Sequence, residues 1–249
     1  MSEPFSYDAI ADDYARAVDD APYNALYERP ATLGLLPPVD GRHLLDAGCG
    51  NGWYAEQLLA RGAAVTAVDG SAAMAAHART RIAALGALAP DDTVPPPGRA
   101  RVRHADLARP LGFLADGAVD GVVSALVLHY LRDWGPTLRE LRRVLAPGGW
   151  LVLSTHHPFE EAARLDVPDY LAVEEYEDDW GWLGTVRFWR RPLTATVEAL
   201  ADAGFVVERI VEPLPTEAFR AARPDAYARI RKRPGFLLIR ARPWPVAPG

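Results

Sequence analysis

The chain is expected to fold as an α/β protein with a doubly wound, largely parallel sheet. Three observations in the 249-residue sequence predict it. Short apolar runs alternate with helical segments from RHLLDAG onward, the order that a parallel sheet covered on both faces requires. The first run ends in three glycines at alternate positions, Gly48, Gly50 and Gly52. The second run, AAVTAVD, ends in an acid, Asp69.

The elements follow in order. Tyr7, Ile10, Tyr14 and Val18 recur at helical spacing and predict an amphipathic helix over 6–20 with a partly aromatic face. A second helix is expected over 23–35, ending before Pro37-Pro38. RHLLDAG and AAVTAVD are buried strands by length, with a helix from Trp53 to Ala60 between them. Ser71 can cap an alanine-rich helix that runs to Leu85. Three successive prolines and a glycine make 88–99 a loop. RVRHAD and AVDGVVSAL resume the strands. A helix over 136–146 stops at Pro147-Gly148-Gly149, and WLVLSTHH is the next strand. The alternation lapses over 157–190 and returns with a helix at 192–203 and strands at 205–212 and 235–241. One domain of four parts is expected: an N-terminal helical cap (1–40), a core (41–156), an insertion over one end of the sheet (157–190) and the rest of the sheet (191–249).

Composition narrows the function classes. Apolar residues make up 49% and charged residues 24%, near the averages for a soluble globular protein, which excludes disorder as the main state. The net charge of −6 argues against a protein that wraps nucleic acid. A single cysteine, Cys49, excludes a disulfide scaffold. No apolar stretch is long enough for a membrane span, and the acidic N-terminus is no signal peptide. A cytoplasmic location is expected, with no metal and with the chain as a monomer or homodimer.

The glycine loop carries the chemistry. In LLDAGCGNG, missing side chains let the backbone approach a ligand closely, and the next helix aims its N–H groups at the same crevice. A carboxylate at Asp69 can accept from both hydroxyls of a ribose, so the ligand is read as a nucleoside derivative. The dinucleotide pattern G-x-G-x-x-G/A fails from Gly48, where Trp53 takes the last place, and passes from Gly50, where Ala55 does. Asp46 at the strand end would repel a pyrophosphate and welcome an ammonium or sulfonium. The electrostatics therefore favour a cationic nucleoside over NAD.

These residues, with HADLARPL, VDGVVSALVLHYLRD and LRRVLAPGGWLVLSTHHP, resemble the class I S-adenosylmethionine-dependent methyltransferases across about residues 40–160. The small-molecule branch, akin to bacterial quinone and natural-product enzymes, is the most similar. The resemblance implies a Rossmann-like, seven-stranded sheet with the last strand antiparallel. It also implies S-adenosyl-L-methionine as cofactor and S-adenosyl-L-homocysteine as product. It places Gly48 and Gly50 against the methionine part, Asp46 beneath it as an anchor, and Asp69 on the ribose. Met74 would pack against the adenine, and Asp106 would accept from the adenine amino group, flanked by Ala105 and Leu107. Ala125 and Leu126 would offer backbone groups to the amino-acid end, and Tyr14 would close over the carboxylate.

The acceptor is read by exclusion. Relatives that methylate DNA bases or protein amides carry Asn or Asp before Pro-Pro-Tyr after the fourth strand, whereas this chain has Ser124-Ala125-Leu126-Val127. A small molecule is left, methylated on O or N, with a quinone-pathway C-methylation as the alternative. An NAD-dependent oxidoreductase and a binding protein without chemistry are the readings from other classes. Displacement at an activated methyl needs alignment and exclusion of water, with a base where the nucleophile holds its proton tightly. His129, His156 and His157, at strand ends, are the candidate bases. In the insertion, Tyr176, Trp180, Trp182, Phe188 and Trp189 offer flat walls for a planar acceptor, with core packing as the alternative reading. Arg190 could grip an acidic acceptor. Nine acids between Glu160 and Asp179 are expected to face solvent. The bases between Arg220 and Arg242 are expected to be solvated or to pair with those acids.

Overall fold

The computed structural model describes residues 7–181 and 184–244. Helix α1 (Ala11–Ala17) is followed by a π-helical turn over Asn24–Glu28 that runs straight into α2 (Arg29–Leu35). Five parallel strands then alternate with helices: β1 (His43–Ala47), α3 (Trp53–Leu59), β2 (Ala64–Asp69), α4 (Ala72–Ala84), β3 (Ala100–His104), β4 (Val119–Ala125), α5 (Gly135–Val144) and β5 (Leu145–His156). The Ser71 hydroxyl caps α4 by accepting from Met74 N at 3.1 Å, as its place in the sequence predicts. After β5 come α6 (Pro158–Leu165), a hairpin of β6 (Glu174–Asp179) and β7 (Thr185–Arg190), α7 (Leu193–Asp202), β8 (Phe205–Val211), the short helices α8 (Glu217–Ala222) and α9 (Pro224–Ile230), and β9 (Phe236–Pro243).

The main sheet has the order β3-β2-β1-β4-β5-β9-β8, seven strands with β9 antiparallel to both its neighbours. This is the doubly wound architecture expected, with the last strand of the chain inserted before the edge. Successive strand residues point to opposite faces. Leu44, Val123 and Val152 enter one core with α2, α3 and α4, while Leu45, Val122 and Leu151 enter the other with α5 and α7. Burial on both faces is why these strands read as unbroken apolar runs.

Three details differ from the expected elements. Helix α5 ends at Val144, because Leu145 already pairs with Val119 before the Pro147-Gly148-Gly149 turn, and the ladder resumes at Gly121↔Trp150. A Cβ on Gly121 would lie 2.4 Å from the Trp150 ring, so that indole lies flat on a glycine. Residues 157–190 hold α6 and the β6–β7 hairpin, and α8 and α9 were not foreseen at all. Among the described residues no helix is long and apolar enough to cross a membrane.

Candidate active site

At the carboxyl ends of β1 and β2 the chain turns sharply. The N–H groups of Gly48 and Cys49 both donate to the Val68 carbonyl at 2.8 Å, fixing the glycine loop onto β2. Gly48 and Gly52 have φ of +83° and +85°. A Cβ on Gly48 would meet Val127 Cγ2 at 2.2 Å, and one on Gly52 would meet the Ala78 backbone at 2.9 Å. Gly50, at φ +53°, has only Met74 Cε nearby at 3.6 Å and leaves its side open. Asp69 braces the loop: its two oxygens accept from Gly50 N at 2.8 Å and Ser71 N at 2.9 Å.

A cavity of about 410 Å³ opens above this loop, within the ~300–1,000 Å³ usual for small-ligand sites. Gly48, Gly50, Asp69 and Met74 line its floor. Asp106 and Leu107 after β3, and Ala125 and Leu126 after β4, line its sides. Tyr14 reaches it from α1. Ala105 stands just behind, its N–H donating to the Asp69 carbonyl at 2.9 Å. Asp106 is half exposed, accepts from Ala108 N at 2.8 Å, and keeps a face toward the cavity.

Asp46 is 1% exposed and lies beneath the loop. Its Oδ2 has no hydrogen-bond partner among the described residues, and the nearby Ala55 N–H favours its charged form. Burial, with Asp69 close by, pushes its carboxyl up to about 7. A buried, half-satisfied carboxylate of this kind suits a cationic ligand and opposes a pyrophosphate. The residues present therefore fit S-adenosylmethionine.

The structure departs from the acceptor-side expectations. None of His129, His156 and His157 lines the cavity. The His129 and His156 rings stack on each other with centroids 4.1 Å apart, a layer away beside Tyr130. His129 is buried, and that burial lowers its pKa. His156 Nδ1 meets Glu161 Oε1 at 3.0 Å, and His157 Nε2 meets Glu212 at 2.8 Å. His129 and His156 pack on Phe188 of the insertion, whereas His157 turns to Glu212 beyond β8.

The aromatic cluster also stands back from the cavity. Tyr176 and Phe188 are cross-strand partners on the inner face of the hairpin, and Phe188 packs on Tyr130 at 5.2 Å between centroids. Trp180 stacks on Tyr14 at 6.3 Å, so it backs the wall without lining it. Trp189 falls on the other face of the hairpin, beneath the Arg132 guanidinium. Trp182 lies outside the described residues. Arg190 is fully buried and uses four of its five N–H donors within the hairpin region: it binds Glu174 Oε1 at 2.7 Å and the carbonyls of Asp169 and Tyr170. It locks the base of the hairpin and, fully buried and away from the cavity lining, does not reach a ligand there. The acidic run is paired locally too, through Arg164–Asp178 and Arg187–Glu177, and Glu160 meets Arg233 at 3.4 Å.

Part of the cavity is lined by residues that sequence reasoning did not assign. Tyr7 and Tyr130 line it with their hydroxyls hydrogen-bonded to each other, and Tyr7 packs edge-on against Tyr14. Burial raises all three phenols, Tyr14 to about 12, so they stay protonated. Arg29, 5% exposed, stacks over Trp53 at 4.2 Å and donates to the Asp19 carbonyl at 3.2 Å. Glu28, Trp53 and Tyr54 complete that side. The aromatic face of the first helix was a signal for Tyr7. The Glu28-Arg29-Pro30 string carries no mark of burial in the sequence.

Comparison with known proteins agrees with this geometry. Residues 45–153 match the family model of a methyltransferase domain. An S-adenosylmethionine-dependent methyltransferase of Mesorhizobium loti is 32% identical, with a TM-score of 0.69, covering 91% of this chain and all of that one. The malonyl-[acyl-carrier protein] O-methyltransferase of Erwinia pyrifoliae is 32% identical over 62% of this chain and 54% of its own length. The tRNA U34 carboxymethyltransferase of Methylococcus capsulatus is 30% identical over 82% of this chain and 56% of its own. The chain thus spans just over half the length of these last two relatives. On the loop, the buried anchor and the full-length likeness together, the chain belongs to the class I S-adenosylmethionine-dependent methyltransferases.

Proposed function

We propose that the enzyme methylates an oxygen or nitrogen of a small, planar metabolite. The observation that carries this reading is the cluster of three phenols, Tyr7, Tyr14 and Tyr130, that lines the cavity. The cofactor would share the cavity of about 410 Å³ with the acceptor, which favours a small acceptor. Flat rings favour a flat partner. When bound, S-adenosylmethionine supplies a methyl activated by its sulfonium.

The chain's own residues bind, orient and exclude water. Gly48 and Gly50 admit the ligand close to the backbone, and Asp46 and Asp69 supply negative charge under it. The tyrosine hydroxyls, protonated at neutral pH, can hold an acceptor heteroatom by hydrogen bonds. No histidine lines the cavity, so alignment carries the catalysis. Such a site favours acceptors that are already ionised or carry a free lone pair, such as acidic phenols, carboxylates and ring nitrogens. The net charge of −6 supports an acceptor free of nucleic acid. Release of S-adenosylhomocysteine across a panel of small phenols, carboxylates, heteroaromatic amines and quinols tests the proposal. Turnover restricted to the O- and N-acceptors is expected. Methylation of only a quinol carbon, or of only carrier-protein- or RNA-linked acceptors, would overturn it.

A further inference from the structure

Glu28 is a carboxylate 1% exposed, at the cavity edge, in the turn before α2. Three hydroxyls converge on it. Thr32 Oγ1 donates to Oε1 at 2.7 Å, Tyr54 OH to Oε2 at 2.8 Å, and Ser154 Oγ to Oε1 at 2.6 Å. An ionised carboxylate only accepts, so the Ser154 proton points at Glu28 and its lone pairs turn the other way. There they meet the Leu126 N–H, 3.0 Å from Oγ; the same N–H also reaches the Ser154 carbonyl at 3.0 Å.

Leu126 needs that grip. Its φ is +56°, one of two positive values among the described non-glycine residues. Such a conformation costs roughly 1–3 kcal/mol and persists only where the surroundings over-determine it. The next residue, Val127, is the one whose methyl would collide with a Cβ on Gly48. Leu126 and Val127 therefore form a strained turn pressed directly onto the glycine loop, and both line the cavity.

We propose that Glu28 is a positioning residue for cofactor binding: through the Ser154 hydroxyl it holds the Leu126–Val127 turn against the glycine loop. The contact runs from the N-terminal cap to the end of β4, across 126 positions of sequence between Glu28 and Ser154. It rests on the cofactor occupying this cavity and needs nothing from the identity of the acceptor.

The test is calorimetric titration of the full chain with S-adenosylhomocysteine, for wild type, Glu28→Gln, Ser154→Ala, the double variant and Thr32→Val. Amide exchange at Leu126 and the thermal midpoint are followed in parallel. Each of Glu28→Gln and Ser154→Ala should weaken binding about tenfold, the worth of one charge-assisted hydrogen bond, and speed exchange at Leu126. The double variant should be no more than about twofold worse than either single, because both remove one path. Thr32→Val, which removes one donor to Glu28 but leaves the Glu28–Ser154 bond in place, should stay within about twofold of wild type. Additive losses, or a Thr32→Val loss equal to that of Glu28→Gln, would make Glu28 a general packing residue and overturn the proposal. Should Glu28→Gln fail to fold, Ser154→Ala decides alone: unchanged affinity and unchanged exchange overturn it. No acceptor is present in these assays, so their failure is distinct from a failure of the acceptor reading.

Discussion

Replacing Asp46 by asparagine should stabilise the ligand-free protein at neutral pH while weakening cofactor binding. The Asp46 carboxyl is displaced from an ordinary value of 3.8 to about 7. That is roughly 3 pH units, and at ~1.36 kcal/mol each it amounts to about 4 kcal/mol. The folded value is raised, so the folded chain holds the proton more tightly than the unfolded chain. Stability from this residue is therefore greatest below pH 3.8, falls as pH rises toward 7, and stays low above it. Asparagine is neutral throughout and keeps an oxygen for the Ala55 N–H. The difference in unfolding free energy between variant and wild type should grow by about 4 kcal/mol between pH 4 and pH 8. Urea unfolding at intervals over that range measures it. Glu28 and Asp69 are raised by burial as well, but their contributions are common to both proteins and largely cancel in the difference. Calorimetry in two buffers of different ionisation heat adds a second reading. Wild type should release a fraction of a proton on binding S-adenosylmethionine near pH 7, and the variant should release less. Parallel pH profiles for the two proteins would refute the account of Asp46 as a buried charge awaiting a cation.

Four further outcomes are expected. Asp69→Ala should weaken S-adenosylhomocysteine binding at least tenfold by calorimetry, since it removes charge-assisted bonds of ~1.5–3 kcal/mol each. Gly52→Ala should lower stability by more than about 2 kcal/mol, because its Cβ would strike the α4 backbone, whereas Gly50→Ala should mainly reduce cofactor affinity; urea unfolding and calorimetry separate the two. His129→Gln should flatten the loss of stability below pH 6.5: the folded value of His129 is depressed, so the wild type loses stability as pH falls through the unfolded histidine value and the variant does not. Arg190→Met should cost about 3 kcal/mol and raise amide exchange across β6–β7, as it strands Glu174 and two carbonyls.

The core strands were legible because burial on both faces leaves a continuous apolar string, and the cofactor loop because only glycine accepts its backbone at Gly48 and Gly52. The hairpin was not legible for the opposite reason. Glu174–Asp179 is a poor strand by propensity and is held by cross-strand pairs such as Arg187–Glu177, which exist only once the register is set. The histidines show the same limit. Their distance from the cavity along the chain is short, but side-chain direction decides, and His156 is aimed at Glu161. Tyr7 and Tyr130 meet across 123 positions, a contact that no local pattern announces. Pro224 opens α9 directly after α8, and helices of six and seven residues are too short to show a periodic apolar pattern.

The place of β9 in the sheet has a consequence for synthesis on the ribosome. Strand β8 joins the sheet only through β9, which is made later. Phe205–Val211 must wait for residues 236–243 before any backbone partner exists. At ~5–20 residues per second the gap from 211 to 243 lasts roughly 2–6 seconds. During that interval the nascent chain exposes an unzipped edge at β5 and a loose β-forming segment, the point at which chaperone capture or mispairing between neighbouring chains would act.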